Sequence, residues 1–218
     1  MDSAADRAAS GIRALIVAGE YGPGDRLPSE RDLAKDLALS RPALREGIRR
    51  LRSGGVLESR RGSGTYVAPV DLEGVFDVRI RLEPLAAERA ALLRSEAEAA
   101  RLAQAVEEMR VRLDDPAAFD SADAVFHGLV AQASRSPVLI SALDMLTEMA
   151  LLSRAVTSPL DHLRSDSLAD VERICTAIER QHPKRAANAM ERHILGVRSD
   201  FAEVIDRDGA RAVAIVKS

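Results

Sequence analysis

Arginine is concentrated in one short stretch of this chain, LALSRPALREGIRRLRSGGVLESRRGSGTYV at residues 37–67. The stretch holds seven arginines and two acidic residues, although the whole chain has a formal net charge of −3. Arg41, Arg45 and Arg49 are spaced four residues apart, so they share one face of a helix. A guanidinium group can bind phosphate oxygens and also the O6 and N7 atoms of guanine. The spacing therefore predicts a surface that contacts double-stranded DNA, and a merely solvated helix face is the alternative.

A second group of residues has the composition of a metal site. Asp123 and His127 are four residues apart and lie on one helical face, and His193 falls on the last predicted helix. Two imidazoles and one carboxylate can bind a divalent metal, as in the iron oxygenases. The same spacing also occurs in surface ion pairs and in buried histidines that bind no metal, so these alternatives stay open.

The elements around the arginines predict a winged helix-turn-helix. The apolar pattern predicts a helix at 6–19, and Ser29 and Ser40 are suited to cap the next two helices. Only about two residues, Leu39 and Ser40, separate those helices, which suits the tight turn of this motif. The segment VLESRRGSGTYVA follows, with two strand-like halves around a glycine-containing turn, and predicts a short hairpin.

The rest of the chain has an almost entirely helical pattern. The sequence therefore predicts a mainly α protein, with an N-terminal winged helix-turn-helix and a C-terminal all-helical antiparallel bundle. The predicted helices of the bundle are 72–94, 96–113, 116–135, 137–158, 164–181 and 184–206. The predicted domains are a DNA-binding head at 1–68, a linker at 69–72, a body at 73–206 and a tail at 207–218. The predicted core of the body includes Leu82, Leu85, Ala86, Leu92, Phe126, Leu129, Val130, Met145, Leu151, Ile174 and Ile178.

Charge and composition restrict the partners and the compartment. Residues 1–70 hold 12 basic and 9 acidic residues, whereas the other 148 hold 19 and 25, so an anionic partner is expected at the head only. Cys175 is the single cysteine, which excludes an intramolecular disulfide and fits a reducing compartment. No apolar run approaches the roughly 18 residues that a membrane span needs. We expect a cytoplasmic protein with no membrane partner.

The segment GDRLPSERDLAKDLALSRPALREGIRRLRSGGVLESRRGSGTYV resembles the DNA-binding domain of the GntR family of bacterial transcription regulators. Four later segments resemble the FCD ligand-binding domain of the FadR-type branch of that family. These segments are DVRIRLEPLAAERAA, DAVFHGLVAQAS, SLADVERICTAI and AANAMERHI. The resemblance implies a homodimeric regulator, most often a repressor, that binds a short palindromic operator and senses a small carboxylic acid.

The resemblance also assigns the residues of the head that contact DNA. The positions that match are Arg31, Ser40, Arg41, Pro42 and Arg45, with Arg61 and Gly62 at the tip of the wing. Arg49 extends the same helical face by one turn. Arg50 and Arg52 point away from this face and are expected at the surface or between domains.

In many FCD domains an aspartate and three histidines from separate helices bind a metal. Asp123 and His127 match the first two ligand positions and His193 matches the last, but Val171 stands at the remaining histidine position. The resemblance therefore implies an incomplete site for zinc, nickel or manganese, and we expect weak binding. Cys175, one turn beyond Val171, is either a substitute ligand or a small core residue.

Arg79 matches an arginine that often faces the effector cavity, where it can pair with a carboxylate of the effector. The alternative is an ion pair with Glu83, one turn further along the same helix. We expect a regulator and not an enzyme. The other possibilities are a metal-dependent helical enzyme with a DNA-binding appendage and an architectural DNA-binding protein whose body only dimerises.

Overall fold

The computed structural model describes residues 3–208, which form nine α-helices and one two-stranded sheet. The N-terminal elements are α1 Ala4–Val17, α2 Glu30–Asp36, α3 Arg41–Ser53, β1 Leu57–Arg60 and β2 Gly64–Val67. The C-terminal helices are α4 Leu72–Leu93, α5 Glu96–Val111, α6 Pro116–Ala133, α7 Pro137–Thr157, α8 Asp161–Glu179 and α9 Pro183–Asp208. This confirms the predicted fold class. Among these helices, none is long and apolar enough to cross a lipid bilayer.

The head is a winged helix-turn-helix built on serine caps. The hydroxyls of Ser29 and Ser40 accept hydrogen bonds from the first turns of α2 and α3, as the sequence predicts. Buried Leu33 and Leu44 join these helices to α1 in one apolar core. Strands β1 and β2 pair antiparallel, with Leu57 opposite Val67, and form the wing.

The turn between α2 and α3 is longer than predicted. It spans the four residues 37–40 and not two, because α2 ends at Asp36. Ala38 adopts a positive φ of 52°, and the amide of Leu39 donates to the carbonyl of Ala34. This is a Schellman termination in which alanine occupies the position where glycine is usual.

The body is a bundle of six helices in which α4 contacts α6, α7, α8 and α9. Fully buried aromatic side chains, Phe76, Phe126 and Phe201, fill its core. The helix boundaries agree closely with the prediction, except that α8 begins at Asp161, three residues early. The tail predicted at 207–218 starts within the last turn of α9, and residues 209–218 lie outside the described part of the chain.

Three predicted core residues of the body are instead exposed. Leu85 and Leu92 on α4 are 44% and 58% exposed, and Met145 on α7 is 67% exposed. Apolar periodicity identifies a buried face only when the helix has one packing partner, whereas α4 is apolar on several sides.

Candidate nucleic-acid interface and buried polar site

The exposed face of α3 carries the predicted arginines. Arg41, Arg45 and Arg49 are all exposed, and the side chains of Arg45 and Arg49 are 62% and 75% accessible. Arg45 Nε lies 3.7 Å from Glu30 Oε2, and Arg49 Nε donates to Glu46 Oε2 at 3.0 Å. Ion pairs that are this exposed stabilise the protein little, so each arginine can exchange its acidic partner for a phosphate at a small cost in free energy. The face therefore presents guanidinium groups that are free to bind an anion.

The other predicted DNA contacts surround this face. Arg31 stands at the start of α2 with 81% of its side chain exposed, and Pro42 is exposed in the first turn of α3. Ser40 is exposed as well, although its hydroxyl is used as the cap of α3. These residues and the α3 arginines lie on the two helices of the helix-turn-helix.

The wing places Arg61 and Gly62 at its tip. The tip is the three-residue loop 61–63, where Gly62 has a φ of 72° that favours glycine, and Arg61 is exposed to solvent. Arg60 stacks its guanidinium 4.1 Å from the centre of the Tyr66 ring, which orients the basic wing. Sequence reasoning missed Arg26, an exposed residue that bridges to Tyr66 beside the wing.

A buried carboxylate, Glu148, ties the head to the body. Glu148 lies on α7 and is 4% exposed, and its Oε2 accepts from Arg13 Nη1 of α1 at 2.5 Å. Its other oxygen accepts from Arg50 of α3, which also pairs with Asp6. Arg50 is therefore an interdomain residue, one of the two roles predicted for it, whereas Arg52 is exposed. We call Glu148 with Arg13 and Arg50 the latch.

The body brings Asp123, His127 and His193 together. One potential ligand atom of each residue lies within 4.8 Å of the others. The rings of His127 and His193 stack with their centres 5.3 Å apart, and Asp123 and His193 are almost fully buried. The stacking of His127 of α6 on His193 of α9 thus assembles the polar cluster whose composition the sequence indicated.

Arg79 forms the ion pair with Glu83 that was the alternative to effector binding. Its Nε lies 2.5 Å from Glu83 Oε1, and the other oxygen of Glu83 is 2.5 Å from His127 Nδ1. Burial raises the pKa of Glu83, but the charges of Arg79 and His127 outweigh burial and hold that pKa well below its usual range. Arg79 also lines a cavity, and its buried Nη1 has no hydrogen-bond partner among the described residues. Both predicted roles therefore remain compatible with its position.

Arg154 of α7 is the member of the site that sequence reasoning missed. Its Nη2 lies 2.7 Å from Asp123 Oδ2 and donates to His193 Nε2 at 3.3 Å. The side chain is only 5% exposed. A single charged residue in the apolar run MALLSRAV was the available signal, because a buried arginine requires a charged partner.

The residues present do not fit a tightly bound metal ion. In favour of an ion, His127 Nε2 and one oxygen of Asp123 lack hydrogen-bond partners in the described range. Against it, Val171 is fully buried and apolar, and the guanidinium of Arg154 already contacts two of the three ligands. Cys175 is buried and its sulfur is not among the ligand atoms that come together at this cluster, so it is a core side chain; burial also raises the pKa of its thiol to about 12.

The cavity next to this cluster is small and partly open to solvent. It has a volume of about 40 Å³, room for a few water molecules only. Arg79, Glu83, Asp123 and Arg154 contribute charged groups to its lining. One wall is α7, the helix that also carries Glu148. Displacement of α7 would enlarge the cavity and admit a larger molecule.

Comparison with known protein families matches both parts of the chain. Residues 4–67 match the family described as bacterial regulatory proteins, gntR family. Residues 74–196, more than half of the chain, match the FCD domain. The two matched regions contain the arginine face and the buried polar cluster, respectively.

Individual relatives cover most of the chain. The Glc operon transcriptional activator of Escherichia coli (strain K12) is 29% identical over 228 residues, which cover 90% of this chain and 88% of the relative. The Galactonate operon transcriptional repressor of the same strain is 32% identical over 156 residues, 62% of this chain and 68% of the relative. The solved structure of E. coli McbR/YncC has a TM-score of 0.68 at 17% identity and covers 96% of this chain and 100% of that chain, which shows a common fold.

Proposed function

This chain belongs to the GntR family of bacterial transcription regulators and carries an FCD domain, and from that premise we propose that it is an effector-responsive repressor. Two copies would bind a short palindromic operator, and a small carboxylic acid would control that binding. The proposal includes the division into head 1–68, linker 69–72, body 73–206 and tail 207–218.

The exposed arginine face of α3 is the observation that carries the proposal. Arg41, Arg45 and Arg49 project from one side of a capped helix, and the acidic partners of Arg45 and Arg49 are themselves exposed. In a helix-turn-helix this helix enters the major groove, where arginine recognises guanine. We assign base contacts to these three residues, and backbone contacts to Arg31, Ser40, Pro42, Arg61 and Gly62.

Selection of bound DNA from a random library tests this assignment directly. The full-length protein should enrich an inverted repeat with two equal half-sites, because a symmetric dimer presents two recognition helices. Enrichment of a single half-site would contradict the dimer, and no enrichment at all would contradict specific recognition. The Arg45→Ala variant serves as the negative control.

The cavity beside Arg79 and Arg154 is the proposed effector site. Two buried guanidinium groups at one cavity favour a carboxylate ligand, which they can bind in the planar geometry that arginine prefers. The name of one relative refers to galactonate, a sugar acid and therefore a carboxylate. The names of the relatives include both an activator and a repressor, so the sign of regulation is part of the proposal. If zinc, nickel or manganese binds, Asp123, His127 and His193 would hold it weakly.

Helix α7 offers a route from the cavity to the head. It forms a cavity wall through Thr147 and Leu151, and Glu148, the residue directly after Thr147, forms the latch with Arg13 and Arg50. Entry of an effector would move α7 and disturb the latch, so ligand binding and head position would be coupled. This coupling favours a sensor over a body that only dimerises.

A further inference from the structure

We propose that the guanidinium of Arg154 takes the place of a metal ion, so that Arg154 and Arg79 form an anion site that needs no metal. The proposal rests on the proposed function, in which the body senses a small carboxylate. It differs from the expectation of a weakened metal site, because it names the group that excludes the metal.

The geometry places Arg154 at the centre of the cluster. One nitrogen, Nη2, lies 2.7 Å from Asp123 Oδ2 and 3.3 Å from His193 Nε2. Asp170 faces the opposite ring nitrogen of His193, Nδ1, at 3.7 Å. The hydrogen bond from Arg154 therefore already occupies the ring nitrogen of His193 that faces the cluster. A divalent ion bound to the same atoms would have to displace this cation.

The charges of the cluster balance without an ion. Four buried charged residues line the cavity, and these are Arg79, Glu83, Asp123 and Arg154. The two positive and two negative groups balance one another, and the one further acid of the lining, Asp144, is exposed to solvent. A divalent ion would add two positive charges next to these buried side chains, where such charge is costly.

The vacant hydrogen-bonding capacity of the site fits an anion. Arg79 is 3% exposed, and its Nη1 is buried without a hydrogen-bond partner among the residues described. Arg154 lines the same cavity. A carboxylate could accept hydrogen bonds from both guanidinium groups. Such hydrogen bonds are strong because the donor and the acceptor are both charged. With a volume of about 40 Å³, the cavity has room for a very small carboxylate such as acetate.

Zinc binding to the full-length, chelator-treated protein tests the exclusion of metal. Calorimetry should detect no tight zinc site in the wild type or in Arg154→Lys, which keeps the positive charge. Arg154→Gln should bind zinc at least tenfold more tightly than the wild type, because the competing cation is gone. A tight zinc equivalent in the wild type, or a folded Arg154→Gln variant with no gain, would overturn the proposal.

A second variant keeps the test decisive if Arg154→Gln does not fold. Val171→His restores the missing histidine while Arg154 stays in place. If a lost ligand were the sole defect, this change alone would tighten zinc binding by a large factor. We expect less than a tenfold gain, and a larger gain would show that Arg154 does not exclude the ion.

Thermal unfolding with acetate tests the anion site separately. Sodium acetate should raise the Tm of the metal-free wild type above that in sodium chloride of equal ionic strength. The shift should vanish in Arg79→Gln and persist in Arg81→Gln, an exposed arginine on the same helix. The absence of an acetate shift in the wild type would overturn the anion site. Failure of the DNA selection would instead contradict the proposed function and leave the zinc result valid.

Discussion

At the scale of single residues, the arginines of α3 have different roles according to the face they occupy. Arg50 is engaged by Glu148 and Asp6, whereas Arg45 is exposed and has one distant acidic neighbour. A guanidinium that is not used by the fold remains available to a partner. Position on the helix, and not residue type, thus separates structural arginines from recognition arginines.

Arg45→Ala should therefore remove specific operator binding. The expected loss is about 1–3 kcal/mol for each base contact, and two symmetric half-sites would double it. The matched control is Arg52→Ala, an exposed arginine on another face of the same helix. Gel shifts with the selected operator and a scrambled duplex measure the effect. Equal affinities for the two variants would remove the recognition-helix assignment.

Asp120 of α6 is a buried acid whose titration should affect stability. Burial raises its pKa to about 7, although Arg154 and a 2.8 Å hydrogen bond donated by Ser158 Oγ favour the charged form. An acid whose pKa is raised on folding stabilises the fold fully below its unfolded pKa of about 4. That contribution is lost as the pH rises through about 7.

Asp120→Asn should remove this pH dependence. Between pH 5.5 and pH 7.5, the unfolding free energy of the wild type should fall relative to the variant by about 1–2 kcal/mol. Urea unfolding of both proteins at each pH measures the difference, and the titration of His193 cancels because both proteins contain it. A constant difference across this range would show that Asp120 stays ionised in the fold.

The buried site was predictable only in part. The four-residue spacing of Asp123 and His127 placed both on one face of α6, and resemblance added His193. Arg154 and Glu148 were missed because their partners lie on other helices, distant in sequence. Local periodicity describes the face of a helix but does not identify the helix packed against it.

At the scale of elements, the turn of the helix-turn-helix shows why one boundary was misplaced. The sequence DLALS continues the apolar pattern through Leu37 and Leu39 and contains no glycine to mark the end of α2. The chain nevertheless ends α2 with Ala38 in the left-handed region. Tertiary packing of the motif enforces a conformation that alanine disfavours.

Ala38→Gly should accordingly stabilise the protein. Removing the strain of an alanine in the left-handed region stabilises the fold by about 1 kcal/mol. Glycine also increases the entropy of the unfolded chain, which offsets part of this, so a net gain of about 0.5 kcal/mol in unfolding free energy is expected. Urea unfolding measures it. Ala43→Gly within α3 is the control and should destabilise by about 0.5–1 kcal/mol. A loss of stability in both variants would contradict the assigned conformation of Ala38.

The latch on α7 predicts unequal costs for its members. Glu148→Gln removes the carboxylate that Arg13 and Arg50 share and leaves buried Arg13 without its ion pair, so a loss of about 3 kcal/mol in unfolding free energy is expected. Arg50→Gln should cost about 1 kcal/mol or less, because Arg50 is partly exposed and the Arg13–Glu148 pair remains. Denaturant unfolding measures both. Equal, small losses would show that the latch does not join head and body.

At the scale of the whole molecule, exposed apolar side chains on α4 suggest where two copies meet. Val78, Leu85 and Leu92 are spaced seven residues apart and are 42%, 44% and 58% exposed. Single exposed leucines are ordinary, but a row at heptad spacing is typical of a helix that packs against another helix. The error in predicting Leu85 and Leu92 as core residues then has a physical reason, since the burying partner would be a second chain.

Leu85→Glu and Leu92→Glu should therefore convert a dimer into a monomer. A carboxylate at the centre of an apolar interface would be desolvated without a partner, which costs more than a small interface can offset. Multi-angle light scattering should report a mass near 47 kDa for the wild type, about twice the 23.5 kDa of one chain. Val111→Glu, which changes a 75% exposed valine on α5, should remain dimeric.

The monomeric variants should also lose the preference for an inverted repeat while keeping weak binding to one half-site, because each head still presents Arg45. If both glutamate variants remain dimers, α4 is not the dimer interface.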